Sequence, residues 1–158
     1  MIRKKILLLG DFSVGKTSLI RRYVDGTFDD KYLTTIGVKI SKKLCIIQGV
    51  ECEVLIWDIE GETPTKKIPL SYYRGASGAI FVIDVNRSET MEGLARHQEV
   101  FFEANPNAKH VTAYNKADLL SEIQKAKFTL DANTFLTSAK SDNNVEALFI
   151  TLIEEMLA

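Results

Sequence analysis

The chain has 158 residues, 46% of them hydrophobic, which suits a single globular domain whose core needs no disulfide or metal staple. Its 20 basic and 21 acidic residues leave a formal net charge of -1, so there is no global field of the kind that holds nucleic acid or an anionic membrane. Two cysteines, Cys45 and Cys52, and no signal-peptide pattern suit a reducing cytoplasmic setting, and no apolar run approaches the roughly 20 residues of a membrane-spanning helix.

Lys5 to Leu9 reads as a buried first strand, followed by a glycine-containing loop and a helix over Lys16 to Val24. Residues 37 to 47 and 50 to 57 read as two strands joined at Gln48-Gly49, a register that sets Cys45 opposite Cys52. Residues 61 to 71 carry Pro64 and Pro69 and are expected to form a loop. Ala79 to Ile83 is the next buried strand, and a helix is expected from near Ser88, with Met91, Leu94 and Phe101 at helical spacing. Val111 to Tyr114 and Thr134 to Thr137 read as short later strands. Val145 to Leu157 closes the chain as an amphipathic helix with Val145, Leu148, Phe149, Leu152, Ile153 and Met156 on one face. Apolar runs alternating with helical segments predict an α/β fold, helices covering a largely parallel sheet.

Gly10-Asp11-Phe12-Ser13-Val14-Gly15-Lys16-Thr17 fits the phosphate-binding pattern G-x-x-x-x-G-K-[ST] and sits between a strand and a helix, where that pattern works. Glycines let backbone N–H groups wrap phosphate oxygens, the helix N-terminus adds a favourable dipole, Lys16 reaches the terminal phosphates and the Thr17 hydroxyl can ligate magnesium. The nucleotide-holding run is thus Asp11, Phe12, Ser13, Val14, Gly15, Lys16, Thr17 and Ser18. Asn115-Lys116-Ala117-Asp118, after a predicted strand, selects the base: the Asp118 carboxylate can accept both the N1–H and the 2-amino protons of guanine, a donor pair adenine lacks. Asn115 suits the far edge of the base and the alkyl stem of Lys116 a purine face. Alone, Asp118 would read equally as a helix cap; its place after the phosphate loop argues for the base.

With these residues in place, the chain resembles a Ras-superfamily small GTPase over nearly its whole length, most similar to the Rab branch. Five motifs occur in order: the phosphate loop, Thr35, Asp58-Ile59-Glu60-Gly61, Asn115 to Asp118, and Ser138-Ala139-Lys140. Thr34 to Val38, Ile56-Trp57-Asp58 and Tyr72 to Ala76 match the Rab branch in type and spacing. The resemblance implies one domain over residues 1–158 with the three-layer P-loop fold: a mostly parallel six-stranded sheet with one antiparallel strand and helices on both faces. It implies GTP/GDP and Mg2+ as ligands. Thr35 would close over magnesium and the γ-phosphate, Asp58 would hold magnesium through a water, and Gly61 would give its N–H to the γ-phosphate. Phe28 would lie beside guanine, Ala139 would present its N–H to the guanine carbonyl, and Ser138 and Lys140 would shape that loop. The metal set is Thr17, Thr35 and Asp58; the catalytic set is Lys16, Thr35, Gly61 and Glu62.

The chain departs from the family at the point of chemistry. Glu62 stands where the family has a glutamine that orients the attacking water, and an ionised carboxylate can only accept hydrogen bonds. Phe12 replaces a small residue facing the phosphates, Pro64 stands where a polar residue is common, and the stretch between Asp118 and Ser138 is short, so one peripheral helix should be abbreviated. His97 and His110 have no second ligand at metal spacing. Lys31, Lys39, Lys42 and Lys43 mark a solvated edge, with an acidic partner as the alternative.

The expected function is a GTP-binding switch with slow hydrolysis to GDP, signalling to a protein effector through the loops around Thr35 and Glu62, with an exchange factor or activating protein acting on the same loops. The alternative is a hydrolysis-deficient guanine-nucleotide-binding interaction module. A cytoplasmic monomer is expected, with no nucleic acid partner. No lipid anchor is expected either: Ile2 replaces the glycine of myristoylation, and Glu154 to Ala158 lacks cysteine.

Overall fold

The computed structural model describes residues 1–26, 38–59 and 68–158. The expectations for Phe28, Lys31, Thr35, Glu60, Gly61, Glu62 and Pro64 lie outside these residues, as does most of the loop expected over 61 to 71.

The strands are β1 (Ile2–Leu9), β2 (Val38–Ile47), β3 (Val50–Ile59), β4 (Gly78–Asp84), β5 (Lys109–Asn115) and β6 (Thr134–Leu136). The helices are α1 (Lys16–Asp25), α2 (Ser88–Glu92), α3 (Leu94–Ala104), α4 (Glu122–Lys125) and α5 (Val145–Leu157). The six strands form one sheet in the order β2-β3-β1-β4-β5-β6. β2 and β3 are antiparallel and every other neighbouring pair is parallel.

β1 is central because both of its faces are apolar, as a parallel strand covered by helices requires. Ile6 and Leu8 enter one core with Leu19, Phe149 and Leu152; Leu7 and Leu9 enter the other with Phe81, Phe101 and Tyr73. The alternation of side chains along the strand thus builds two layers of helix from one apolar run. Each fully buried Leu, Ile or Phe contributes about 1.5–3 kcal/mol relative to exposure. The predicted face of α5 is the buried one, all six residues included.

Gln48 and Gly49 both have positive φ, the mark of a type I′ turn, and the two-residue hairpin sets Cys45 opposite Cys52 with both thiols free and buried. β2 is an edge strand; Lys43 lies back over it, its Nζ donating to the Tyr23 carbonyl at 2.9 Å. Among the described residues no helix is long and apolar enough to cross a membrane.

One helix differs from the periodicity and one is as short as expected. The helix expected from Ser88 is two, α2 and α3, meeting at Gly93, which packs against the Asp11 carboxylate. The abbreviated helix between Asp118 and Ser138 is one turn, α4, closed by a reciprocal Ser121–Gln124 capping box.

Candidate nucleotide site

Two loops, after β1 and β5 on either side of β4, meet at the C-terminal edge of the sheet, where ligands bind in open α/β folds. The first runs from β1 to α1. Gly10 lies so close to β4 that a Cβ would stand 2.3 Å from the Val82 carbonyl oxygen. Gly15 has φ +103, and a Cβ there would stand 2.3 Å from the Asn115 side-chain amide. Both glycines are therefore dictated by close approach, and at Gly15 by the left-handed backbone as well.

Lys16 opens α1 and is 6% exposed, its Nζ donating to the carbonyls of Gly10 and Asp11, each at 3.1 Å. The ammonium is thereby strapped across the mouth of the loop. The first turn of α1 has no acidic residue and no side-chain cap, so the helix N-terminus keeps the character that attracts anions. Val14 is wholly buried in the core and contributes only its backbone to the loop.

The second loop follows β5. Asn115 is buried; its amide donates to the Val14 carbonyl at 3.0 Å and its carbonyl accepts from the Thr137 hydroxyl at 3.1 Å. Lys116 has φ 65 and spans back to the first loop, donating to the Ser13 carbonyl at 2.9 Å and pairing with buried Asp84 at 3.1 Å. The Ser138 hydroxyl donates to Asp118 Oδ1 at 2.8 Å and accepts from the Ser141 N–H at 3.0 Å. Gly15, Ser18, Asn115, Lys116, Asp118 and Ala139, together with Leu119 and Lys140, line a cavity of about 230 Å³. Residues from three separate sequence motifs thus converge on one hollow beside the phosphate loop.

Thr17 on α1 donates its hydroxyl to the Asp58 carboxylate on β3. Both border a second cavity, of about 270 Å³, with Lys39 and Ser41 of β2. A hydroxyl and a carboxylate are hard oxygen donors, the hydroxyl suited to bind magnesium directly and the carboxylate through one of the several waters that ion retains. The donor set fits that metal.

Two residues of the phosphate loop make contacts with the segment from Arg87 to His97. Asp11 turns its side chain away from the loop interior and onto α3, where its Oδ1 meets His97 Nε2 at 2.8 Å. Phe12 is 44% exposed, and its carbonyl accepts from Arg87 at 2.9 Å. Four supporting residues carried no sequence signal of their own. Thr137 orients Asn115, Asp84 anchors Lys116, Arg87 holds Phe12, and Arg22 of α1 donates to the carbonyls of Ala139 and Lys140 at 2.8 and 3.0 Å. Arg22 stands 117 residues from Ala139, so only the folded chain brings them together.

The Ras family sequence profile matches residues 5–158. The chain is similar to the Ras-related protein Rab-1A of Dictyostelium discoideum, 36% identical over 165 aligned residues that cover 96% of this chain and 79% of that protein. It is also similar to the Ras-related protein Rab-10 of Diplobatis ommata, 32% identical over 161 residues, covering 97% and 80%.

Proposed function

Because this chain belongs to the Ras family of small GTPases, we propose that it is a guanine-selective switch that hydrolyses GTP slowly and signals through the loops around Thr35 and Glu62. GTP binding and GTPase chemistry come with the family; base selection by Asp118, slow turnover and the two loops are the reading for this chain. The observation that carries it is the carboxylate of Asp118, held by Ser138 at the lip of a hollow that Lys116 and Ala139 also line.

The roles of the residues follow from their chemistry. Lys16, strapped over the loop, would meet the terminal phosphates as a point charge, and the N-terminus of α1 would add its N–H groups. Asp118 would accept the two guanine donors while Ser138 keeps it from rotating away. Asn115, engaged with Val14 and Thr137, would keep the base loop and the phosphate loop in register. Thr17 and Asp58 would hold magnesium, whose chemistry here is to neutralise charge on the phosphate oxygens. Thr35 and Gly61 would sense the γ-phosphate, and its loss would release both loops to a partner.

A competition titration tests the reading. Wild-type protein should prefer GTP over ATP strongly, and Asp118→Ala should lose about 1 to 3 kcal/mol of GTP affinity because two guanine donors go unpaired. Comparable GTP and ATP dissociation constants in the wild type would refute it. A second reading, a module that holds the nucleotide and scarcely hydrolyses it, draws on Glu62 in place of the water-orienting glutamine.

A further inference from the structure

The phosphate loop of this chain contains an anion. Asp11 lies between Gly10 and Phe12, in a loop whose other side chains are neutral apart from Lys16, and a carboxylate free to turn inward would oppose a polyphosphate and compete for the Lys16 ammonium. The fold prevents this with groups from one segment. His97 on α3, 5% exposed, places Nε2 at 2.8 Å from Asp11 Oδ1. Since a carboxylate accepts, the ring nitrogen donates. Arg96 Nη2 stands 3.9 Å from the same oxygen, and Gly93 leaves room for the carboxylate, since a Cβ there would come within 3.0 Å of it. The Asp11 carbonyl, facing the other way, accepts from Lys16 Nζ at 3.1 Å, and Arg87 of the same segment holds the next carbonyl, that of Phe12, at 2.9 Å.

The geometry points to His97 as a positioning residue for nucleotide binding, holding the Asp11 carboxylate out of the phosphate cradle and so keeping the peptide on which Lys16 rests in its binding orientation. This rests on the reading that the loop from Gly10 to Thr17 holds a guanine nucleotide. His97 touches no phosphate; its whole effect passes through Asp11. Neither residue is explained by packing alone, because an apolar side chain would fill the place of His97 among α3 and the loop equally well, with no buried polar atoms to satisfy.

Dissociation of a fluorescent GDP analogue from the magnesium-loaded protein tests this, with folding followed by circular dichroism. His97→Leu should release the nucleotide about tenfold faster, the loss of one buried hydrogen bond to a charged group. Adding Asp11→Asn to His97→Leu should bring the rate back toward wild type, because the amide carries no charge to oppose the phosphates. A purely structural role predicts no such rescue. His97→Gln and His97→Asn make a parallel comparison should the leucine variant not fold: the glutamine amide reaches where Nε2 lies and the asparagine amide does not, so Gln should stay near wild type and Asn should release faster. Release from His97→Leu within twofold of wild type, no rescue by Asp11→Asn, or equal rates for the Gln and Asn variants would each overturn the inference. A wild-type protein that does not bind GDP would overturn the nucleotide reading and this inference with it; normal wild-type binding with unaffected variants overturns this inference alone.

Discussion

Side chains expected to face the ligand also have partners within the protein. Asn115 joins Val14 to Thr137, Lys116 joins Ser13 to Asp84, and Ser138 steadies Asp118, so four of the residues expected around guanine are part of a scaffold within the protein. Their residue types were legible because the chemistry needs them; their partners were not, because contacts between residues 20 to 103 apart leave no local pattern. Glu62 is the residue on which the rate of turnover should depend. Beside a polyphosphate only partly neutralised by Lys16 and magnesium, an ionised glutamate would be repelled, and the attacking water would be left poorly oriented. Glu62→Gln should therefore hydrolyse GTP at least as fast as wild type in a single-turnover assay. A fall of about 10²-fold with GTP affinity unchanged would instead make Glu62 a general base.

Among the elements, α1 does two jobs. Its N-terminus faces the phosphate loop, while Arg22, nearly two turns on, fastens the loop of Ala139 and Lys140 to the helix through two carbonyls. The helix was legible from its place after the glycine-containing loop; the clamp was not, since an arginine on an amphipathic helix reads as a solvated one. Arg22→Ala should free that loop at a cost of about 1 to 2 kcal/mol, the net worth of hydrogen bonds from a charged donor at a partly exposed site. Hydrogen exchange over residues 138–141 should rise while exchange in β1 and β4 stays unchanged, and GDP should dissociate faster. Unaltered exchange in the loop would mean that Arg22 does not secure it. The interruption between α2 and α3 belongs to this scale as well: helical periodicity carries through Gly93, where the close approach of the Asp11 carboxylate leaves little room for a Cβ.

Over the whole molecule, the candidate site is assembled from the loops after β1, β5 and β6 together with Asp58 at the end of β3, so a bound nucleotide would add its own contacts to those that already join these distant parts of the chain. A ligand that binds the folded state alone stabilises it by mass action, about 2.7 kcal/mol at a hundredfold excess over its dissociation constant. GDP with magnesium should therefore raise the thermal midpoint progressively with concentration, and ATP at the same concentrations should leave it nearly unchanged. An equal rise with both nucleotides would remove the base selectivity assigned to Asp118. Strand order was legible only as a class: the alternation of apolar runs and helices called for parallel strands, and the Gln48-Gly49 turn for one antiparallel hairpin, with Cys45 opposite Cys52 as its register.

By itself the sequence determined what is local or periodic. The phosphate loop follows from a run of eight residues, the two-residue hairpin from its turn, and the buried face of α5 from helical spacing, because backbone conformation and amphipathicity are set by neighbours a few residues apart. The tertiary structure alone decided which way side chains turn where distant segments meet. Asp11 could face the phosphates or α3, and it faces α3 because His97, Arg96 and the space at Gly93 lie there. Arg22 could face water or a loop far along the chain, and it faces the loop because α1 and α5 pack side by side on one face of the sheet, bringing the turn before α5 within its reach. Such choices are made by hydrogen-bond partners that exist only once the sheet has gathered its strands, and no spacing along the chain encodes them.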